Sequence, residues 1–456
     1  MLAAPAWPDA GAGANVAAER ALAKAIARVA HPLTGSPADY DHLLQRIGNA
    51  RVVLLGEDTH GTREFYRERA RITQRLIAEH GFAGVVIEGD WAEVAGLRGV
   101  TDTPQVAAGV DQALQSFQRF PRWMWRNTDF RDLVVWLGQF NLRRRGHAPA
   151  VRIYGMDLQE IAPAAAATIG YLAAADPEAA ERARERYRCL DSGNASAQGE
   201  APRVRWPALD CAPQVQEQLT ELATVGWRTD AGGADIADAA YLHALQGARS
   251  VRNAEEYYRP QRATPEATWN VRDGHMAATI DLLLAHLDAA TGMRSRLVIW
   301  AHNAHIGDAR GTARGDAGFQ TIGQMLRERY PEETAIVGFI TATGAVRAAT
   351  DWGGRDVVKR LRQPLRGSHA ALLHATGVRR FYLIPDEAPD LRAALDVPRL
   401  QRGVGVRYLP QLELAGHYYH ARVSRQFDVV VYIDRTSALR PLPQRNMTKR
   451  SRLISD

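Results

Sequence analysis

The chain has 456 residues, 46% hydrophobic and 24% charged, with a formal net charge of +6; such a globular composition is too long for one simple core and predicts either two domains or one sheet with a large insertion. No apolar stretch approaches the roughly 20 residues of a membrane-spanning helix, so no membrane association is expected. The basic residues are nearly all arginines scattered among acidic ones, with lysine only at Lys24, Lys359 and Lys449, and without a basic patch or stripe no nucleic-acid partner is expected.

Met1 to Val16 has no basic start ahead of an apolar run, which predicts a cytoplasmic protein. An Ala-rich helical pattern covers residues 14–30, and Ser36-Pro37-Ala38-Asp39 offers a turn and cap before a second short helix. A strand enters at Arg51, a helix follows over 61–80 and a strand over 84–88, a unit for which a right-handed crossover is expected. Residues 101–145 read as helical, interrupted at Pro121 beside the aromatic segment Phe120-Pro121-Arg122-Trp123-Met124-Trp125. After a strand over Val151–Met156, helices are predicted at 162–174, 176–189, 210–226, 234–260 and 268–291, with a mobile loop over 190–207. This block is expected to form the wall or cap of a pocket. Strands then recur at 297–301, 334–340, 378–383 and 427–433.

The predicted fold class is α/β: a central, mostly parallel sheet flanked by helices, with a large helical insertion beside the C-terminal strand ends. The expected division is one domain over 35–445 with the insertion at about 161–290, an N-terminal helical extension over 1–34, and a basic, disordered tail over 446–456. Cys189 and Cys211 flank a Ser/Gly/Pro-rich stretch and are close enough in sequence to meet, but a cytoplasmic setting favours free thiols.

Four apolar runs end in residues able to do acid-base chemistry. Val52–Leu55 leads to Glu57, Asp58 and His60; Val85–Ile87 to Glu88; the strand at 151 to Asp157; and Leu297–Ala301 to His302 and His305. In open parallel sheets ligands bind outside the carboxyl ends of the strands, so these groups are expected to converge there. Arg69 falls within the apolar stripe Phe65, Ile72, Leu76, and a guanidinium buried on that face needs a carboxylate, with Glu57 and Glu88 the candidates. Asp157, Trp123, Tyr257, Arg272 and His275 are candidates for a substrate-binding wall, together with Trp125, Tyr258 and Trp269.

No Gly-x-Ser-x-Gly elbow, Cys-His pair or Walker loop is present, which leaves water activated either by histidine or by a divalent metal. The first route needs His60 oriented by Glu57 or Glu88, with Arg69, His302 and His305 around it. The second would draw its ligands from the same His60, Glu57, Glu88, His302 and His305. No other cofactor is expected, although a strand-end cluster of this kind can also bind metal or haem without turnover.

The segments Leu55-Gly56-Glu57-Asp58-Thr59-His60-Gly61-Thr62-Arg63-Glu64-Phe65, Arg69, Val86-Ile87-Glu88 and Trp300-Ala301-His302-Asn303-Ala304-His305 resemble the two motif blocks of the erythromycin esterase family. Tyr154-Gly155-Met156-Asp157-Leu158, Asn253–Tyr258, Arg272–Ala277 and the ending from Phe427 to Leu442 resemble it as well, so the likeness spans about 35–445. That resemblance implies a hydrolase acting on a small-molecule ester or macrolide lactone, a source of antibiotic resistance, or a relative linked to succinoglycan biosynthesis. It implies His60 as the general base, with Glu57, Arg69, Glu88, His302 and His305 around it, and it leaves metal dependence open.

Overall fold

The computed structural model describes residues 16–101, 106–190, 211–225, 234–259 and 264–443. Its strands, in chain order, are β1 His31–Pro32, β2 Val52–Leu55, β3 Gly84–Asp90, β4 Arg152–Asp157, β5 Leu297–Trp300, β6 Thr334–Ala348, β7 Val357–Arg360, β8 Arg380–Leu383, β9 Arg399–Arg402, β10 Tyr418–Ala421 and β11 Val429–Thr436. Across the main sheet the order is β1-β8-β11-β6-β2-β5-β3-β4, with β7 paired to β6. From β4 to β11 every neighbouring pair is parallel, while β8, β1 and β7 attach antiparallel. The predicted α/β class is thus what the structure has.

Buried on both faces, β2 and β5 alternate their side chains between two cores. Val53, Leu55, Val298 and Trp300 join one cluster, packed by the helices Arg63–His80 and Thr128–Arg144; Val52, Leu54, Leu297 and Ile299 join the other, packed by Val16–Val29 and Pro265–Thr291. At the antiparallel edge, His31 and His42 both bond the Glu387 carboxylate, at 2.8 and 2.9 Å.

Between β4 and β5 lie the expected helices, at Ile161–Ala175, Pro177–Tyr187, Ala212–Val225, Ala234–Tyr258 and Pro265–Thr291. They divide into two parts. The last covers the sheet, whereas the others enclose small cores of their own around Leu172, Ala183, Leu222 and Ala248, and around Ala164, Val215 and Val251. Contrary to the expectation of free thiols, Cys189 and Cys211 are disulfide-bonded, their Cα atoms 5.9 Å apart, because the helix pair brings the two ends of the intervening segment together. The loop expected over 190–207 and the tail over 446–456 lie outside the described residues, except for Leu190. No described helix is long and apolar enough to cross a membrane.

Candidate active site

His60 sits where β2 turns into the helix Arg63–His80. The turn is made by Gly61 at φ +71°, a left-handed conformation that glycine adopts without cost, and a Cβ there would collide with the Arg347 carbonyl. The His60 backbone N–H donates to Val404 O (2.8 Å). Nδ1 of His60 lies 2.7 Å from Glu57 Oε1, while Glu57 Oε2 accepts from Arg69 Nη2 at 3.0 Å. Arg69 is fully buried, its guanidinium 4.4 Å from the Tyr66 ring and 4.6 Å from that of Trp300. As the apolar stripe predicts, this cation needs a carboxylate; Glu57 supplies it and the two rings add their π faces. With Nδ1–H committed to Glu57, Nε2 of His60 has no protein partner among the described residues and is the nitrogen left to take a proton.

His302 packs beside it, ring centroids 4.8 Å apart. Its Nδ1 accepts from Ala304 N (3.1 Å), so Nε2 carries the hydrogen and donates to Asp58 O at 3.2 Å. Burial, reinforced by His60, holds its pKa well below the ordinary value, and the ring is neutral with both nitrogens occupied. The His302 backbone N–H donates to Glu88 Oε2 at 2.9 Å.

The third histidine belongs to a charged network. His305 Nδ1 is 2.7 Å from Asp273 Oδ1, and Nε2 is 3.4 Å from Glu88 Oε1. Burial opposes its charge, but Asp273 and Glu88 outweigh it and push the pKa up to about 9. Arg272 works against this charge, its Nη1 lying 3.0 Å from His305 Nε2, while the second oxygen of Asp273, Oδ2, accepts from Ile322 N. Arg272 bonds Asp157 through Nε (3.0 Å) and Nη2 (2.7 Å), and the same Nη2 reaches Glu88 Oε1 at 2.9 Å. Against the upward pull of burial, His305 and Arg272 keep Glu88 well below its usual value, and Arg272 lowers Asp157. Trp269 stacks on His305 at 4.3 Å with the rings 4° from parallel.

These groups floor a cavity of about 800 Å³, lined by His60, Glu88, Asp157, Arg272, His302 and His305 below and by aromatic and glycine-rich segments above. Glu57 and Arg69 stand behind the lining. Of the expected substrate wall, Trp125, Asp157, Trp269 and Arg272 line the cavity, while Trp123, Tyr257, Tyr258 and His275 do not. Trp123 is packed in the core beside the sheet, because its neighbours Met124 and Trp125 take the cavity side. Tyr257 turns edge-on to Tyr258 at 4.9 Å, outside the lining. His275 is buried between helices, 2.8 Å from Asn253 Nδ2 and 3.2 Å from Gln246 Nε2, where burial drops its pKa to about 3.

The helical block, expected as wall or cap, contributes to the wall. Among the described residues only its last helix contributes, through Trp269 and Arg272; the mouth is formed by 117–125, Arg314, Trp352 and 403–419. Sequence reading missed Asp273, which orients His305, and the 403–419 segment, whose only cue was its scattering of glycines.

The five candidate metal ligands do not fit a cation as arranged. His302 has no free lone pair, and Glu57, His60, Glu88, His302 and His305 do not bring three donor atoms within 4.8 Å of one another.

A family model described as erythromycin esterase matches residues 77–436. Glu88, Asp157, Arg272, His302 and His305 fall inside that span, while Glu57, His60 and Arg69 precede it and join them through the fold. Three solved structures share the architecture. One is a Bacillus cereus protein, with TM-score 0.72 and 18% identity over 93% of this chain and 99% of that one. Another is described as a succinoglycan biosynthesis protein, with TM-score 0.70 and 19% identity over 94% and 100%. The third is a mutant of the erythromycin esterase EreC in an open conformation, with TM-score 0.62 and 16% identity over 88% and 94%. With more than half of its length matched by that model, the chain belongs to the erythromycin esterase family.

Proposed function

We propose that the protein hydrolyses carboxylic esters or lactones with water activated by His60. The observation that carries this reading is the Glu57–His60 pair, which commits Nδ1 and leaves Nε2 at the floor of the cavity. In this mechanism His60 takes a proton from water as the hydroxide attacks the carbonyl, and Glu57, locked by Arg69, stabilises the imidazolium that results. Charge developing on the carbonyl oxygen is met by the cationic pair Arg272 and His305. The proton held by His60 then passes to the leaving alkoxide. No Ser, Thr or Cys lines the cavity among the described residues, so no aliphatic hydroxyl or thiol there competes with water as nucleophile.

The cavity volume falls in the range that accepts bulky organic ligands, and erythromycin is the first substrate to try. Mass spectrometry of erythromycin and of a panel of simple esters, incubated with wild type and with His60→Ala, tests the reading. A gain of one water from wild type alone supports it, and chelator should leave the rate unchanged. Equal turnover by both proteins would remove His60 from the mechanism.

A further inference from the structure

The carboxylates lining the cavity are matched, while three of its arginines are not. Glu88 and Asp157 share Arg272, and Asp90 is held by Arg119 Nη1 at 2.9 Å. Burial, with Asp90 and Glu160 nearby, pushes Glu93 up to about 9, so it adds no negative charge at neutral pH. Arg122, Arg314 and Arg407 also line the cavity, yet none makes an ion pair or side-chain hydrogen bond among the described residues. Arg122 and Arg407 are exposed at the mouth. Arg314 is half-buried, its guanidinium 4.3 Å from the Trp269 ring centroid and 4.6 Å from that of Phe319.

Trp269 stacks on His305 on its other side, so Arg314, Trp269 and His305 form a ladder from the mouth to the floor. A guanidinium held against aromatic faces keeps its N–H groups free for an incoming acceptor, and a cavity wall with surplus positive charge concentrates anions. We propose that the substrate is an ester bearing a second, anionic group, which Arg314 and Arg407 hold near the mouth while the scissile carbonyl reaches His60. Resting on the hydrolytic reading above, this narrows its substrate class and sets the site against amine-bearing lactones such as erythromycin, whose faster turnover than that of an anionic ester would count against the proposal.

The test separates binding from turnover. Three 4-nitroanilides of matched length, derived from glutaric acid (anionic), valeric acid (neutral) and 4-(trimethylammonio)butyric acid (cationic), are titrated into the full chain while quenching of tryptophan fluorescence is read. Trp125, Trp269 and Trp352 line the cavity and report occupancy. The acidic anilide is expected to bind at least about tenfold more tightly than the neutral one, an advantage that shrinks as sodium chloride rises from about 50 mM to about 500 mM. Arg407→Gln, an exposed change compatible with folding, should reduce that advantage severalfold, and Arg314→Gln should reduce it further.

Equal affinities for the three anilides, or undetectable binding of the acidic one at millimolar concentration, would overturn the proposal. So would an anion advantage that survives both substitutions. The matching 4-nitrophenyl esters, assayed in parallel, test turnover: anion-selective binding with no ester cleavage would sink the hydrolytic reading and leave the anion site standing.

Discussion

Glu57 is the residue on which both His60 and Arg69 depend. Arg69→Ala would leave its carboxylate buried beside a guanidinium-sized void, and removing one partner of such a pair costs about 3–5 kcal/mol. Chemical denaturation should show that loss together with falling activity, whereas a wild-type midpoint would mean that Arg69 is dispensable to the fold. His60→Ala should behave in the opposite way, losing turnover with little change in melting temperature, since the side chain is seated by one hydrogen bond.

The histidines also set a pH profile. His305 is raised from 6.5 to about 9, so its stabilisation is complete below about pH 6.5 and is lost as pH climbs through about 9, on the order of 3 kcal/mol. His302 is depressed, so its neutral form favours folding fully above 6.5 and progressively less as pH falls from there. Melting temperature should therefore decline on both sides of near-neutral pH, and His305→Gln should flatten the alkaline limb; an unchanged limb would place the proton elsewhere. Arg69 was legible in the sequence because a charge in an apolar stripe demands a partner. Trp123 and His275 were not, since helical spacing does not say which of two packed neighbours a side chain meets.

Among the elements, the β2 turn matters most to chemistry. Gly61→Ala adds a Cβ at positive φ that collides with the Arg347 carbonyl, so about 1–3 kcal/mol of strain should appear in the melting curve and the misplaced His60 should lower kcat. Wild-type kcat with a lowered melting temperature would show that the turn tolerates displacement. The strand-helix-strand start and the strands at 334, 380 and 429 followed from their apolar runs. Short β9 and β10 did not, because Arg399–Arg402 and Tyr418–Ala421 carry no apolar alternation and form a two-stranded sheet apart from the main one, with single bridges from Leu400 to Ser368 and from Ala421 to Thr312. Their hairpin nevertheless frames the 403–419 segment at the mouth, with Val404 bonded to the β2 turn from both sides.

For the whole molecule, the sheet with its two faces and the satellite helices are separate cores, joined mainly through the helices Ala234–Tyr258 and Pro265–Thr291. The Cys189–Cys211 bond closes a separation of 22 residues, which in the chain-entropy account contributes about 3 kcal/mol to the unit it clips. Cys189→Ser should lower the unfolding temperature of the satellite helices while sparing kcat, because neither cysteine lines the cavity. Equal melting curves with and without reductant would show that the bond contributes nothing.

By itself the sequence determined the parallel α/β core and the acid-base residues at its strand ends, because both are local: continuous apolar runs specify doubly covered strands, and a residue following a strand lies at its carboxyl edge. Only the tertiary structure decided which carboxylate each cation meets, which imidazole keeps a free nitrogen, and which arginines face the cavity uncompensated. Those outcomes depend on pairs separated by tens to hundreds of residues, whose distances and burial no local pattern encodes.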